Sequence, residues 1–134
     1  MTTTYLLDIN LLLALSDPMH VHHEVAHRWY ADGGDQSWAT CPITENGFVR
    51  IASHPKYPNS PGSATVALNT LRRFCSRSGH CFWSEGITLR ESLTVQSVIT
   101  HNQVTDIYLL ALTVHHGGKL ATLDQNIPAA RVRG

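Results

Sequence analysis

The sequence predicts an α/β protein in which helices flank a central, mainly parallel sheet. The chain has 134 residues, which suits one domain (1–134) with a hydrophobic core of its own. Hydrophobic residues make up 43% of the chain and charged residues 15%, so the composition argues against disorder and against a coiled coil. Short apolar runs alternate with helix-like segments, which is the pattern of repeated β-α-β units.

The first element is an apolar run at residues 5–7, which ends at Asp8 and predicts a buried strand. A short helix is predicted over residues 9–15, before a turn at 16–18. No basic residue precedes this apolar start, and Asp8 lies inside it. We therefore expect it to belong to the fold rather than to a signal sequence.

A second helix is predicted from the spacing of Val21, Val25 and Trp29, which recur every four positions and so form one face. The glycine pair at 33–34 predicts its end. Val21, Val25 and Trp29 are therefore the expected buried stripe of this helix.

The middle of the chain continues the alternation. Residues 38–41 predict a strand, and residues 43–53 predict a helix with Pro42 near its start. The proline-rich stretch at 55–62 is a connector, and Ser63 is positioned to cap the helix that follows it.

The last third contains two further strands and a strong helix. The helix after Ser63 is expected to stop by Gly79, and residues 81–83 predict a strand. Residues 84–100 show no clear pattern. A helix that begins at Asn102 or Thr105 is expected to end at the glycines 117–118, before a final strand at 119–123.

Four of the ten acidic residues lie where the core is expected. Glu45 and Asp106 each begin a largely apolar helical stripe, and Asp8 and Asp124 each end a strand-like run. The carboxyl ends of parallel strands share one edge of a sheet, which is where open α/β folds place their ligands. The four carboxylates are therefore expected to converge there.

Such convergence requires a positive counter-charge. Two carboxylates about 4 Å apart repel by roughly 4 kcal/mol at an effective dielectric constant of about 20. The basic residue within the four segments is Arg50, so a divalent cation is the simplest compensation. An all-oxygen set of ligands favours Mg²⁺ or Mn²⁺ over zinc, and such cations promote phosphodiester hydrolysis.

The charge balance fits a polyanionic substrate only if these acids are neutralised. Ten Lys and Arg residues face ten Asp and Glu residues, which gives a formal net charge of zero and removes any overall attraction to nucleic acid. If a metal balances four acids, the rest of the chain carries an excess of basic residues.

Four short segments together resemble a known family. They are LLDIN at 6–10, ITENGFVR at 43–50, TDIYL at 105–109 and ATLD at 121–124. In this order they are similar to the successive motifs of PIN-domain ribonucleases, specifically the VapC toxins of toxin–antitoxin pairs. The resemblance implies a PIN-like α/β/α sandwich and a Mg²⁺- or Mn²⁺-dependent endoribonuclease. It also implies a homodimer held inactive by a cognate VapB-type antitoxin.

The resemblance also implies roles for the acids. Asp8 and Asp106 would bind the metal directly, and Glu45 and Asp124 would complete the site directly or through water, one of them receiving a proton from the attacking water. Many relatives carry another acid two residues after the last one, where this chain has Asn126. The number of metal ions, one or two, is therefore open.

Neighbouring polar residues are candidates to support the acids or the substrate. Candidate supporting residues are Asn10, Thr44, Thr122 and Asn126. Candidate RNA-phosphate contacts are Arg50, Arg72 and Arg73, although Arg72 and Arg73 equally suit a solvated helix face. The alternative role for Asp8 and Asp106 is to cap or stabilise helix starts.

Two other functions remain open at this point. One is a non-catalytic PIN-like binding module. The other is a zinc metalloprotease, because residues 23–27 read HEVAH and match the HExxH motif. Helical geometry places His23 and His27 opposite the expected buried stripe, facing solvent, which argues against that site.

The three cysteines, at 41, 75 and 81, show neither a Cys-x-x-Cys pair nor zinc-ligand spacing. Their odd number favours a reduced, cytoplasmic setting. No stretch approaches the roughly 20 apolar residues that a membrane-spanning helix needs, so no membrane partner is expected.

Overall fold

The computed structural model describes residues 2–60, 62–84, 86–92 and 100–123. Within these residues, four three-residue strands form one sheet: β1 (Tyr5–Leu7), β2 (Trp38–Thr40), β3 (His80–Phe82) and β4 (Lys119–Ala121). The strand order is β3-β2-β1-β4, and all three neighbouring pairs are parallel. The predicted parallel sheet is confirmed.

Six α-helices connect or follow these strands in the described part of the chain. They are α1 (Ile9–Ser16), α2 (His23–Ala31), α3 (Pro42–Ala52), α4 (Ala64–Cys75), α5 (Leu89–Ser92) and α6 (Val104–His115). Single 3₁₀ turns occupy Gly34–Gln36 and His101–Gln103.

Side chains alternate between the two faces of the sheet and build a separate core on each. Leu7 and Trp38 belong to the core that α1 to α4 cover. Leu6 and Ala39 point the other way and pack with Leu112 of α6. Because successive side chains of a strand point to opposite faces, this alternation gives three layers and confirms the α/β/α sandwich.

Local signals set several helix boundaries. The Ser63 side chain accepts hydrogen bonds from the backbone N–H of Thr65 (3.1 Å) and Val66 (3.4 Å), so it caps α4 as predicted. Helix α6 is followed by Gly117, whose φ of 71° lies in the left-handed region that favours glycine.

The buried face predicted for α2 is wrong at Val21 and Val25, whereas Trp29 is half-buried and packs against the core. Val21 precedes the helix and is 86% exposed, and Val25 is 58% exposed, whereas Ala26 and Tyr30 are buried. The small Ala26 lets α2 pack against α1, and the Nδ1 atom of His23 lies 2.7 Å from the Ala14 carbonyl oxygen. These contacts turn the helix so that Ala26, rather than Val25, faces the core.

Several element boundaries differ from the predictions by one or two residues, and one helix was not predicted. β3 begins at His80, one residue before the predicted start, and β4 ends at Ala121. α5 lies in the stretch for which no pattern was found. Gly79, immediately before β3, lies so close to the backbone of Asp35 that an added Cβ would be 1.9 Å from the Asp35 carbonyl oxygen.

Among the helices of the described residues, none combines the length and the apolar character needed to cross a membrane.

Candidate active site

Three predicted site residues follow or approach the carboxyl ends of parallel strands. Asp8 is the first residue after β1, Thr122 is the first after β4, and Glu45 lies in the first turn of α3, which follows β2. Since β1 pairs in parallel with both β2 and β4, these residues lie along one edge of the sheet.

The direction of helix α6 places Asp106 at the same edge of the sheet. It lies in the first turn of α6, which packs on β4 and leads into the start of that strand. A helix that returns along the sheet to the start of a strand has its own N-terminus over the end of that strand. Asp106 is therefore placed near the end of β4 and is half-buried.

Asp8 is only 4% exposed, and hydrogen bonds from α1 and from the end of β4 hold its carboxylate. Its Oδ1 atom accepts from the backbone N–H of Leu11 at 2.8 Å and so caps α1. Its Oδ2 atom accepts from the hydroxyl of Thr122. The capping role considered for Asp8 is thus present, and the second oxygen is oriented by the strand on the other side of β1.

Glu45 points toward β3 through a shared hydroxyl group. The Thr40 hydroxyl lies 2.6 Å from Oε2 of Glu45 and 2.7 Å from Nε2 of His80. Thr40 is completely buried at the end of β2, and His80 begins β3. The position of the Glu45 carboxylate is therefore fixed by the β2–β3 side of the sheet.

Cys75, at the end of α4, completes a small group with these two residues. One ligand atom from each of Glu45, Cys75 and His80 lies within 4.8 Å of the other two. Within the described ranges this is the one trio of His, Cys, Asp or Glu side chains that comes so close. Asp8, Glu45 and Asp106 do not form such a trio, so a single ion at this edge would reach some of them through water, as Mg²⁺ commonly does.

The local environment shifts the pKa values of two members of this group. Burial, followed by the Glu45 carboxylate, raises the pKa of the Cys75 thiol, against a smaller effect of the hydrogen bond from Thr40. Burial lowers the pKa of His80, more than the Glu45 carboxylate and a hydrogen bond to the Cys75 backbone raise it. A thiol and a neutral imidazole are therefore the expected forms near neutral pH.

The other predicted supporting residues have different surroundings. The Thr44 hydroxyl accepts from the Cys41 N–H at 2.9 Å and donates to the Cys41 carbonyl at 3.1 Å, so it closes the start of α3 instead of contacting an acid. Asn10 is exposed in the first turn of α1. Asp124 and Asn126 lie outside the described residues.

The sequence analysis missed Thr40, Cys75 and His80. Thr40 was findable, because it is a polar residue at the end of a strand, the same signal that identified Asp8. Nothing in the sequence distinguishes His80 from the other eight histidines, or Cys75 from the other two cysteines.

The predicted RNA-contacting arginines are exposed at helix ends. Arg50 lies in the last turn of α3, so about five residues, roughly 7–8 Å of helix, separate it from Glu45. Arg72 and Arg73 lie in the last turn of α4, where they bond Asn69 (3.1 Å) and Thr70 (3.4 Å).

The HExxH motif at the start of α2 lacks the surroundings of a zinc protease. The rings of His23 and His27 are 5.7 Å apart. His27 is exposed, but His23 is half-buried against Ala14, which corrects the prediction that both face solvent. Across the described ranges, no third acidic, histidine or cysteine ligand atom joins Glu24 or these histidines within 4.8 Å.

Comparison with known proteins relates the chain to ribonucleases of Mycobacterium tuberculosis. Ribonuclease VapC44 of strain H37Rv is 45% identical over 131 residues, which cover 96% of this chain and 92% of VapC44. Ribonuclease VapC39 of the same strain is 40% identical over 123 residues, which cover 90% of this chain and 88% of VapC39. No family model matches the chain.

A solved structure supports the same relationship at the level of the fold. The crystal structure of Mycobacterium tuberculosis VapC20, described as a sarcin-ricin loop cleaving toxin, matches with a TM-score of 0.66. The match covers 96% of both chains, at 14% sequence identity.

Proposed function

The chain belongs to the VapC family of PIN-domain ribonucleases and is an endoribonuclease toxin; we propose that it cleaves RNA with Mg²⁺ or Mn²⁺ held at the edge of the sheet. The proposed cation-binding residues are Asp8, Glu45, Asp106 and Asp124. The observation that carries the proposal is the buried Asp8 carboxylate, which Thr122 binds from the neighbouring strand.

The donor set suits a hard divalent cation. A carboxylate that is 4% exposed requires compensation for its charge. Its two oxygens offer about four lone-pair sites, so the hydrogen bonds from the Leu11 N–H and the Thr122 hydroxyl are compatible with a metal on the same group. Asp106 adds a second half-buried carboxylate at the same edge, and oxygen ligands favour Mg²⁺ or Mn²⁺.

Asp8 and Asp106 have a different proposed task from Glu45. Asp8 and Asp106 would bind the ion directly, and Glu45 through water. When bound, the ion would stabilise charge on the scissile phosphate and lower the pKa of a bound water. The Leu11 N–H and the Thr122 hydroxyl hold Asp8 in one orientation.

Glu45 is our choice for the proton acceptor, with Asp124 as the alternative. The Thr40 hydroxyl bonds Oε2 of Glu45, which fixes the carboxylate and leaves Oε1 as the proposed site for the proton of the attacking water.

Exposed arginines near the ends of α3 and α4 are proposed to bind RNA phosphates. Arg50, Arg72 and Arg73 are all exposed. The contribution of such contacts decreases with ionic strength because RNA binding releases counterions. We therefore expect Arg72→Gln and Arg73→Gln to raise the KM for RNA and to weaken its salt dependence, with kcat little changed.

Family membership also implies a cognate antitoxin as protein partner. We propose that this partner is of the VapB type, and that the toxin is a homodimer in a reducing cytoplasm, in which Cys41, Cys75 and Cys81 stay free as they are in the structure. Sedimentation of the purified chain tests the homodimer directly.

The central experiment is RNA cleavage by the purified chain. Cleavage should require Mg²⁺ or Mn²⁺ and stop with EDTA, and Asp8→Asn or Asp106→Asn should abolish it without altering the circular dichroism spectrum. Glu24→Gln, at an exposed acid of α2, is the matched control and should cleave normally. Undiminished cleavage by both aspartate variants would refute the assignment, and intact RNA with the wild-type chain would favour the non-catalytic module.

A further inference from the structure

We propose that Glu45, Cys75 and His80 form a second cation site, which prefers zinc-like ions to Mg²⁺, and that its occupation inhibits RNA cleavage. The zinc-binding part stands on the geometry of these three residues. The inhibition rests on the proposed function, because it requires Glu45 to serve the reaction.

The three side chains come from elements that the fold holds rigidly together. Glu45 lies in the first turn of α3, Cys75 ends α4, and His80 begins β3, next to the buried strand β2. The helices α3 and α4 pack against each other on one face of the sheet. Their ligand atoms already lie within 4.8 Å of one another, so a small movement is enough to surround one ion.

The Thr40 hydroxyl is shared between two members of this group. The Thr40 hydroxyl has one proton, but it lies within hydrogen-bond distance of both the Glu45 carboxylate and the imidazole of His80. In the tautomer that carries its proton on Nδ1, the Nε2 atom of a neutral His80 has a lone pair that competes with Glu45 for the Thr40 proton.

A cation resolves this competition. It takes the lone pair of Nε2 and leaves the Thr40 proton to Glu45. The hydrogen bond of the His80 ring to the Cys75 backbone then orients the imidazole, in the way that histidine ligands are commonly held. The Cys75 thiol gives up its proton to solvent and binds as the thiolate.

The chemistry of the donors determines which ions fit. Thiolate, imidazole and carboxylate groups all bind zinc, and a zinc ion with three protein ligands keeps one position for water. Soft sulfur donors select against Mg²⁺, which prefers oxygen. The second site therefore discriminates against the ion proposed for catalysis, although the two sites share Glu45.

Occupation of the second site ties Glu45 to the β2–β3 side of the sheet. The Glu45 carboxylate is then bound to a cation and is no longer available to the reaction at the Asp8 edge. Zinc would thus inhibit RNA cleavage by occupying Glu45, the residue proposed to accept the proton.

Cobalt substitution tests the site without any measurement of activity. Co²⁺ added to the full chain should give a thiolate-to-cobalt charge-transfer band. Cys75→Ser should abolish that band, and His80→Gln should weaken Co²⁺ and Zn²⁺ binding by more than about tenfold, the lower end of what loss of even an outer partner costs. Cys81→Ser is the matched control, because Cys81 is exposed and adjacent in β3, and it should keep the band.

Several results would overturn the site. They are the absence of the band in the wild-type chain, its persistence in Cys75→Ser, or its loss in Cys81→Ser when circular dichroism shows that the variant is folded. Binding by His23 and His27 alone would give cobalt without a thiolate band, and this result also counts against the proposal.

The proposed inhibition is tested by adding increasing Zn²⁺ to RNA-cleavage assays at fixed Mg²⁺. The rate of each variant is compared with its own rate without zinc. The wild type and Cys81→Ser should lose activity at the same Zn²⁺ concentration. Cys75→Ser should require more than about tenfold more Zn²⁺. Equal zinc sensitivity in all three chains would contradict the inhibitory role. If no chain cleaves RNA, the proposed function fails, while the cobalt spectra still decide whether the site exists.

Discussion

The Thr122 hydroxyl donates a hydrogen bond to Oδ2 of Asp8, although the two residues are 114 positions apart in the sequence. The bond joins the residues that directly follow two paired strands, β1 and β4. It is reinforced by the Asp8 backbone N–H, which donates to the Ala121 carbonyl at 3.2 Å. The orientation of Asp8 therefore depends on a strand that forms from a distant part of the chain.

Replacement of Asp8 separates its capping role from its proposed metal-binding role. Asn caps helices as well as Asp does, whereas Ala at such a position costs about 0.5–2 kcal/mol. Asp8→Asn is therefore expected to lose RNA cleavage with little change in the free energy of unfolding, and Asp8→Ala to lose both. Urea unfolding and cleavage assays on the same samples measure the two effects. Equal stability of the two variants would show that the cap does not contribute.

The hydroxyl of Thr122 is expected to contribute more to RNA cleavage than its methyl group does. Thr122→Val removes the donor to Oδ2 of Asp8, and loss of a partner of this kind typically lowers activity or metal affinity by about 10–100-fold. Thr122→Ser keeps the hydroxyl and is the control, with activity close to that of the wild type. If Thr122→Val cleaves RNA as fast as Thr122→Ser, the hydrogen bond has no role in the reaction.

Thr40 offers an independent test of the position of Glu45. Thr40→Val is close in shape but leaves buried acceptors on Glu45 and His80 without the hydroxyl, at a cost of about 1–3 kcal/mol in the free energy of unfolding. Thr40→Ser should stay near the wild-type value. Denaturant unfolding of both variants checks this expectation, which a stable Thr40→Val chain contradicts.

A tyrosine–aspartate contact should make stability fall at both extremes of pH. Tyr57 donates to Oδ2 of Asp17 at 2.8 Å. Burial, together with this bond, raises the pKa of Tyr57 to about 12 from its ordinary 10.0. Burial opposes ionisation of Asp17, but hydrogen bonds from Tyr57 and Asn59 outweigh it and lower the pKa of Asp17 below its ordinary 3.8.

The direction of the pH effect follows from these shifts. Asp17 contributes stability above its unfolded pKa and loses it as the pH falls below about 4, and Tyr57 contributes below about pH 10 and loses it toward 12. The difference in urea midpoint between the wild type and Tyr57→Phe should thus be largest near neutral pH. A difference that stays constant from acid to alkaline pH speaks against the contact.

Gly79 is expected to tolerate no side chain. A Cβ there would lie 1.9 Å from the Asp35 carbonyl oxygen, a backbone atom that cannot rotate away. Gly79→Ala should therefore lower the free energy of unfolding by about 1–3 kcal/mol or more, as overpacking does. The neighbouring Ser78 is exposed, so Ser78→Ala should stay within about 0.5 kcal/mol of the wild type. Thermal or urea unfolding of the pair checks the difference.

The parts of the fold that the sequence predicts correctly are those that a single local signal determines. Strand β1 and the position of Asp8 follow from an apolar run that ends at a charge, and the start of α4 follows from Ser63. The buried face of α2 is different, because contact with α1 sets its rotation. Periodicity selected Val25, but the smaller Ala26 packs better against α1.

The candidate site likewise contains residues that local patterns predict and contacts that only tertiary packing determines. A polar residue at the end of a parallel strand is visible in a sequence, which explains why Asp8 and Thr122 were found. The link from Glu45 to His80 through the Thr40 hydroxyl depends on the parallel pairing of β2 with β3 and on side-chain rotamers. The strand pairing and the rotamers are set by tertiary packing, so no local sequence pattern predicts them.

The place of β1 between β2 and β4 has a consequence during protein synthesis. β4 is the last strand of the described sheet in chain order, so an unfinished polypeptide lacks both the neighbour of β1 on that side and the Thr122 hydroxyl that bonds Asp8. The Asp8 carboxylate therefore reaches its observed orientation only after β4 pairs with β1.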